Sequence, residues 1–190
     1  MAYIKLGHDF AKFIDPAYYA DIIKKEDDAS CVLKLHLLCE RFLNVYLDER
    51  VPVNQREFFE VGKGKHKQIL KYFNEKLQVA VAFGLPVEIA KPLKAINTIR
   101  NDFAHNFDAT LENDGVKLYF QRIDAFKITS TVALPFNNPV ETQCVNADGK
   151  QIYAKDSPIA AFTIATYIFI SKAAIWLVND LNERGVLRTG

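Results

Sequence analysis

An apolar segment near the end of the chain constrains the fold more than any other feature. Residues 159–178 read IAAFTIATYIFISKAAIWLV, and Lys172 is the one charged side chain among these twenty residues. A helix of this length is long enough to cross a bilayer. Four polar side chains also interrupt the segment: Thr163, Thr166, Tyr167 and Ser171. These interruptions favour a helix buried in protein over one that faces lipid.

The flanks of the segment carry the start and stop signals of a helix in a globular protein. Ser157 is a good N-cap residue, Pro158 suits the first helical position, and Gly185 is a common helix stop. The sequence therefore predicts a buried helix over 158–184. A membrane span over 159–178 is the alternative, and the main prediction places the protein in the cytoplasm without a membrane.

Helical periodicity continues through the first half of the chain. Short helices are predicted over 9–14 and 17–25, and a long helix over about 28–48 that begins at the capping residues Asp27 and Asp28. Further helices are predicted over 65–83, closed by Gly84, and over about 92–105, begun by Pro92. This half predicts an α-helical bundle.

The pattern changes between residues 110 and 156. The stretches GVKLYFQRI and AFKITSTVAL alternate with the period of a strand, and Asp148-Gly149 lies between two further alternating runs. The sequence predicts a small antiparallel β-insertion over 110–156. The predicted whole is one mainly α domain over 1–190, a bundle of five or six helices with this insertion before the last helix.

Composition narrows the range of functions. The chain has 24 basic and 23 acidic residues, a formal net charge of +1, so any contact with nucleic acid must come from a local patch. Three cysteines without CxxC spacing and four scattered histidines indicate neither a zinc site nor a disulfide framework. No metal site and no cofactor are predicted.

The stretch Arg100-Asn101-Asp102-Phe103-Ala104-His105 is the first candidate for chemistry. Arginine offers a permanent planar cation that suits phosphate, and histidine can move protons near neutral pH. The two types of side chain can cleave RNA without a metal. Five residues on a helix separate two side chains by about 140°, however, so they converge only if the helix frays or a second subunit completes the site. The alternative is structural: Arg100 pairs with an acid and His105 caps the helix.

A second cluster lies on the long helix, where His36, Glu40 and Asn44 are spaced four apart. Leucines surround them, so Glu40 is expected to point into the protein or an interface, where a carboxylate needs a cation. Arg100 is the candidate partner of Glu40. A contact of Glu40 with His36, one turn away, is the alternative.

A basic run begins near residue 63 and offers a possible contact with a phosphate backbone. Aromatic side chains are interleaved with its lysines. The lysines proposed to contact RNA are Lys63, Lys65, Lys67 and Lys71. The alternative is the solvated start of a helix.

The stretch RNDFAH resembles the Arg-x4–6-His motif of HEPN domains. The longer stretch LQVAVAFGLPVEIAKPLKAINTIRNDFAH, with SCVLKLHLLCERFLNVYL before it, resembles the bacterial mannitol-repressor family, which is itself similar to HEPN domains. The resemblance covers roughly residues 28–107. It implies a helical bundle that dimerises, and, in catalytic members, a metal-independent endoribonuclease of the toxin or anti-phage type. By position in the motif, Arg100 and His105 would be the catalytic pair and Asn101 would position the substrate, with Glu40 and His36 in support.

Two functions follow as expectations. The first is an RNA-directed protein of the HEPN type, which in its catalytic form is a metal-independent endoribonuclease. The second is a non-enzymatic regulator, as implied by the mannitol-repressor branch, that works through contact with an antitoxin-like or regulatory protein. The β-insertion departs from minimal HEPN domains, and the near-neutral charge departs from the basic balance expected of an independent DNA-binding repressor.

A homodimer is also expected. The helix over 31–47 has only Lys34, Arg41 and Asp48 as a clearly polar stripe, and 159–178 has almost none, so a single bundle is left with surplus apolar surface. Pairing through the long helices would cover that surface and bring Arg100 and His105 from two chains together. The alternative is a monomer in which the β-insertion covers the surplus face.

Overall fold

Seven α-helices dominate the residues that this computed structural model describes, which are 11–61, 68–127, 143–145, 149 and 151–185. The helices are α1 Ala11–Ile14, α2 Pro16–Lys25, α3 Asp28–Arg50, α4 Phe73–Ala82, α5 Val87–His105, α6 Asp114–Ala125 and α7 Pro158–Glu183. Two 3₁₀ helices, Val53–Phe58 and Ala154–Asp156, lie between them. The prediction of a mainly helical bundle is confirmed.

The apolar segment forms α7, and most of its surface is covered by the fold. Ser157 caps the helix, because its hydroxyl oxygen accepts a hydrogen bond from the Ala160 N–H at 3.1 Å, and Gly185 follows the helix with φ +67°. Within the described part of the chain, α7 is the one helix long and apolar enough to cross a membrane, and 67% of its most apolar stretch is buried. It packs against α1, α2, α3 and α6.

Three polar side chains within α7 find partners on or next to other helices, whereas the buried Ser171 hydroxyl has no partner among the described residues. Thr163 lies 3.3 Å from the Cys31 thiol of α3, and Thr166 lies 3.0 Å from the Tyr119 hydroxyl of α6. The Lys172 ammonium donates to the carbonyl of Phe126 at 3.3 Å. Burial without a partner is costly for such groups, so these contacts favour packing inside the bundle. Because most of α7 is buried, little surplus apolar surface remains on this helix, contrary to the expectation from sequence.

The long helix α3 lies beside α7 and also contacts α4 and α5. It begins where expected, because the Asp27 carboxylate accepts a hydrogen bond from the Ser30 N–H at 2.7 Å. It ends at Arg50, before Val51-Pro52, since the residue before a proline disfavours the helical conformation. Two faces of α3 are buried, and Leu33 and Leu37 remain about half exposed, at 47% and 53%.

Helices α4 and α5 form a hairpin that runs beside α3. Gly84 turns the chain between them with φ +95°, a conformation that glycine adopts without strain. Helix α5 begins at Val87, earlier than predicted, so that Pro92 lies inside the helix. Helix α4 begins at Phe73, later than predicted, because residues 68–69 form a short strand instead of a helix.

The prediction of a strand over 115–123 is wrong, because these residues form α6. Asn113 caps the helix by accepting a hydrogen bond from the Val116 N–H at 3.0 Å. Val116, Tyr119 and Ile123 share one buried face, a spacing of three and four that a helix requires. The pattern alternates as well, and packing of this face against α5 and α7 selects the helix.

Strands are few among the described residues. β1 (Glu60–Val61) pairs with β2 (Gln68–Ile69), and β3 (Gln143–Val145) pairs with β4 (Gln151–Tyr153), both antiparallel. The second pair flanks Gly149, whose φ is +76°, as a hairpin there requires. Of the predicted strand run over 125–134, residues 128–134 lie outside the described residues, and Ala125 is the last residue of α6. Within the described residues of the predicted β-insertion over 110–156, strand is limited to this short hairpin, and α6 occupies the first part.

Candidate functional site

A cavity of about 260 Å³ opens between α3, the start of α4 and the second half of α5. Most of the residues that line it are polar or charged. The nine residues of its lining are His36, Glu40, Lys71, Tyr72, Phe73, Asn74, Asn97, Arg100 and Asn101. The structure thus brings together five of the residues selected from the sequence: His36, Glu40, Lys71, Arg100 and Asn101.

His36 forms the inner wall of this cavity. Its ring packs against the Phe73 ring at a tilt of 34°, with the centroids 4.5 Å apart, and its Nε2 lies 3.0 Å from Oδ1 of Asn97. The Asn97 amide donates in turn to Oδ1 of Asn74 at 2.9 Å, so Oδ1 of Asn97 is an acceptor and His36 Nε2 carries the proton. Burial lowers the pKa of His36, and the cations Arg100 and Lys76 act in the same direction. The imidazole is therefore neutral at pH 7.

Glu40 pairs with Lys76, not with Arg100 as the sequence suggested. The Nζ atom of Lys76 donates to Oε1 of Glu40 at 2.6 Å, and the Lys76 side chain is fully buried. The alternative contact of Glu40 with His36 does not form either, because the His36 ring turns to Asn97. A buried ammonium requires a counter-charge, which explains why this carboxylate is taken.

The charge of Arg100 is therefore not neutralised by Glu40. Its Nη1 donates to Oδ1 of its neighbour Asn101 at 3.2 Å, a neutral partner. No carboxylate within the described residues pairs with Arg100. Among the described residues, the structural alternative, in which Arg100 pairs with a nearby acid, is wrong. A half-buried guanidinium without a counter-ion is suited to bind an anion.

Lys71 and Tyr72 form the outer rim. Leu70, just before them, has φ +61°, a conformation that a branched side chain rarely adopts, and its N–H donates to the Phe59 carbonyl at 2.8 Å. The Tyr72 N–H donates to the Glu75 carboxylate at 3.3 Å, which fixes Tyr72 at the start of α4. The Tyr72 ring is 59% exposed, and the Lys71 Nζ lies 5.3 Å from its centroid. An aromatic face and a cation are thus presented to solvent.

His105 does not line the cavity. It is the last residue of α5 and is exposed, about 7.5 Å further along the helix axis than Arg100 and turned from it by about 140°. The helix continues unbroken through His105, so fraying does not bring the two side chains together. Within one chain, the two proposed catalytic residues point to different sides.

Lys63, Lys65 and Lys67 lie outside the described residues, and Lys71 alone of the four proposed lysines is described. Sequence reasoning missed Lys76, Asn97 and Asn74, which hold Glu40 and His36 in place. The helical spacing of Asn97 with Arg100 and Asn101 on α5 was a usable signal. Nothing local marked Lys76, since a lysine at the start of a helix is ordinarily solvated.

The site combines a guanidinium that has no carboxylate partner among the described residues, a surface lysine, an exposed aromatic ring and amide groups, a set that suits phosphates and bases. Within the described ranges, no group of three His, Cys, Asp or Glu residues is placed to hold a metal ion. Comparison with protein-family models, with curated proteins and with solved structures finds no match for this chain.

Proposed function

We propose that this protein is RNA-directed and that Arg100, with Asn101, holds a phosphate of the bound strand. One observation carries the proposal: Arg100 lies in an open cavity without a carboxylate partner among the described residues, because Lys76 takes Glu40. Lys71 adds a second cation at the rim, and the exposed Tyr72 ring offers a face on which a base can stack.

The catalytic form of the proposal follows the resemblance to HEPN domains. His105 removes the proton of a ribose 2′-hydroxyl, the 2′-oxygen attacks the adjacent phosphorus, and the bond to the 5′-oxygen breaks as that oxygen takes a proton from water. The product ends in a 2′,3′-cyclic phosphate. Arg100 stabilises the charge that develops on the phosphorane. No step uses a metal, so chelators are expected to leave the activity intact.

Because Arg100 and His105 diverge on α5, this chemistry requires a second subunit. Leu33 and Leu37 lie on α3 next to Glu40 and are about half exposed. A twofold axis through this face would cover both leucines and bring two cavities together, so that His105 of one chain could serve Arg100 of the other. The proposed dimer thus rests on α3, not on α7.

The test is incubation of total RNA with the wild type, Arg100→Gln and His105→Ala, in chelator. The proposal expects cleavage by the wild type alone, with cyclic phosphate ends. Binding of RNA, measured by fluorescence anisotropy, separates the binding of RNA by this site from its cleavage. Loss of binding in Arg100→Gln supports the grip on phosphate, whereas equal binding by the wild type and Arg100→Gln removes the phosphate site at Arg100. No binding of RNA by the wild type removes the RNA-directed proposal.

A non-enzymatic regulator is the second candidate. It is favoured by the position of His105 outside the cavity and by the engagement of the cavity's own imidazole, His36, with Asn97. A single chain then has a binding site without an assembled pair for proton transfer. Absence of RNA binding by the wild type, together with no difference in cleavage between the wild type and His105→Ala, would select this candidate.

A further inference from the structure

The outer face of α5 carries a continuous line of exposed side chains. Residues spaced four and three apart lie within about 40° of one line on a helix. On α5 this line consists of Val87, Lys91, Lys94, Thr98, Asn101 and His105, and all six are exposed. We call this line the α5 stripe. It contains two lysines, a histidine and no carboxylate.

The stripe passes the cavity that holds Arg100 at Asn101, and from there it runs along α5 toward Val87. Asn101 lines that cavity, and Lys94 lies about 10 Å from Asn101 along the helix axis. Lys91 lies one turn further. The Arg122 guanidinium of α6 donates to the Lys91 carbonyl at 3.2 Å, which holds another cation next to this end of the stripe. Positive charge therefore continues beyond the proposed site.

A second cavity of about 530 Å³ lies along the same end of the stripe, between α4 and α5. Leu77, Val81 and Ala90 give it apolar walls, and the amides of Asn74 and Gln78 lie at its edges together with Lys91 and Lys94. Asn74 also lines the cavity of Arg100, so the two cavities adjoin. Apolar walls, amides and cations fit a nucleobase together with its phosphate.

The carboxylates near the stripe leave its lysines available. Glu88 and Asp102 lie on the side of α5 that faces α6, and Asp102 accepts a hydrogen bond from Asn113 at 3.4 Å. No described carboxylate forms an ion pair with Lys91 or Lys94.

We infer that Lys91 and Lys94 form a second phosphate-binding site, along which an RNA strand held at Arg100 continues over the α5 stripe. The inference rests on the proposed RNA-directed function and extends it to residues that the sequence did not indicate. The adjoining cavity between α4 and α5 takes a base of the same strand. Lys91 and Lys94 bind the strand and have no part in its cleavage.

The test compares Lys91→Gln/Lys94→Gln with the wild type on a fluorescein-labelled single-stranded RNA of twelve nucleotides. Each lost phosphate contact lowers the slope of log K against log salt by about 0.7, so the double variant should lose about 1.4. If the two affinities are equal at 1 M salt, this corresponds at 0.1 M salt to a loss of affinity of roughly 25-fold relative to the wild type. The matched control is Lys117→Gln/Lys155→Gln, which removes two exposed lysines elsewhere and should retain the wild-type slope.

The outcomes separate this inference from the function on which it rests. If Arg100→Gln weakens binding and the Lys91/Lys94 variant matches the wild type in affinity and slope, the second site is wrong and the RNA-directed function stands; the cavity between α4 and α5 is then left to a protein partner. If the control loses as much as the Lys91/Lys94 variant, the effect is one of net charge and the site is also wrong. If the wild type binds no RNA, both proposals fail.

Discussion

The Nζ atom of Lys76 lies 2.6 Å from Oε1 of Glu40, and this ion pair determines the character of the candidate site. The lysine side chain is fully buried, whereas the glutamate side chain is 23% exposed toward the cavity. Since the carboxylate is committed to Lys76, Arg100 faces the cavity with its charge available. The same helix face that was expected to neutralise Arg100 therefore leaves it free for an anion.

Lys76→Met should destabilise the protein, because it leaves the Glu40 carboxylate without its cation. Loss of one partner of a buried pair costs about 3–5 kcal/mol, and the partial exposure of Glu40 places the expected loss in the free energy of unfolding near the lower end, at about 3 kcal/mol. Urea denaturation measures it.

Two further variants test this explanation of the loss. Glu40→Gln/Lys76→Met removes both charges and should be more stable than Lys76→Met alone. Arg100→Gln should change the free energy of unfolding by less than about 1 kcal/mol, since no described carboxylate depends on it. A loss of several kcal/mol in Arg100→Gln would mean that Arg100 neutralises a buried acid.

The stability of the protein should fall as the pH falls below about 6.5, in part through His36. Burial lowers the pKa of His36 in the folded state below its ordinary value of 6.5, so the unfolded chain binds a proton more readily. The contribution of the neutral imidazole is complete above pH 6.5 and is lost as the pH drops below it.

His36→Gln should reduce this acid-dependent loss, which urea denaturation at pH 7.5 and pH 5.0 measures. Titration of the His36 ring by NMR is the direct check. A midpoint at or above 6.5 in the folded protein would contradict the prediction.

Thr166→Val should destabilise the protein, because it removes the hydroxyl to which the buried Tyr119 hydroxyl donates. The Thr166 hydroxyl donates to the Phe162 carbonyl at 2.8 Å, so the buried Tyr119 hydroxyl donates to Thr166 at 3.0 Å. Valine keeps the shape of threonine and leaves the Tyr119 hydroxyl without its acceptor, at an expected cost of about 2 kcal/mol in the free energy of unfolding. In a Tyr119→Phe background the same substitution should cost less. An equal cost in both backgrounds would show that the two hydroxyls are not coupled.

The proposed dimer should depend on Leu33 and Leu37. Sedimentation equilibrium at micromolar concentration is expected to give twice the chain mass of 21.6 kDa for the wild type. Leu37→Asp should shift the mass toward 21.6 kDa, because it places a charge on the proposed apolar face. Leu118→Asp, at a leucine of α6 that is 43% exposed, is the matched control and should leave the dimer intact. A wild-type mass near 21.6 kDa would discard the dimer and the shared catalytic site.

The sequence by itself determined the two longest helices, α3 and α7, and their ends to within two residues. The spacing of apolar residues and the capping residues Asp27 and Ser157 act within a few residues of chain, so they can be read without the fold. Helix α6 shows where this reading fails, because residues 115–123 satisfy both the strand and the helix period. The Asn113 cap was the local signal for the helix, and it was overlooked.

Only the tertiary structure decided which charges meet. The choice between Arg100 and Lys76 as the partner of Glu40 depends on how α3, α4 and α5 pack, since both cations are distant from Glu40 in sequence. Helix geometry alone predicts that Arg100 and His105 diverge on a regular helix. Only the structure shows that α5 continues unbroken through His105, so that the two side chains do diverge. Local periodicity fixes which face of a helix is apolar, whereas an ion pair between helices depends on their relative rotation and translation, and the sequence of one helix carries no record of these.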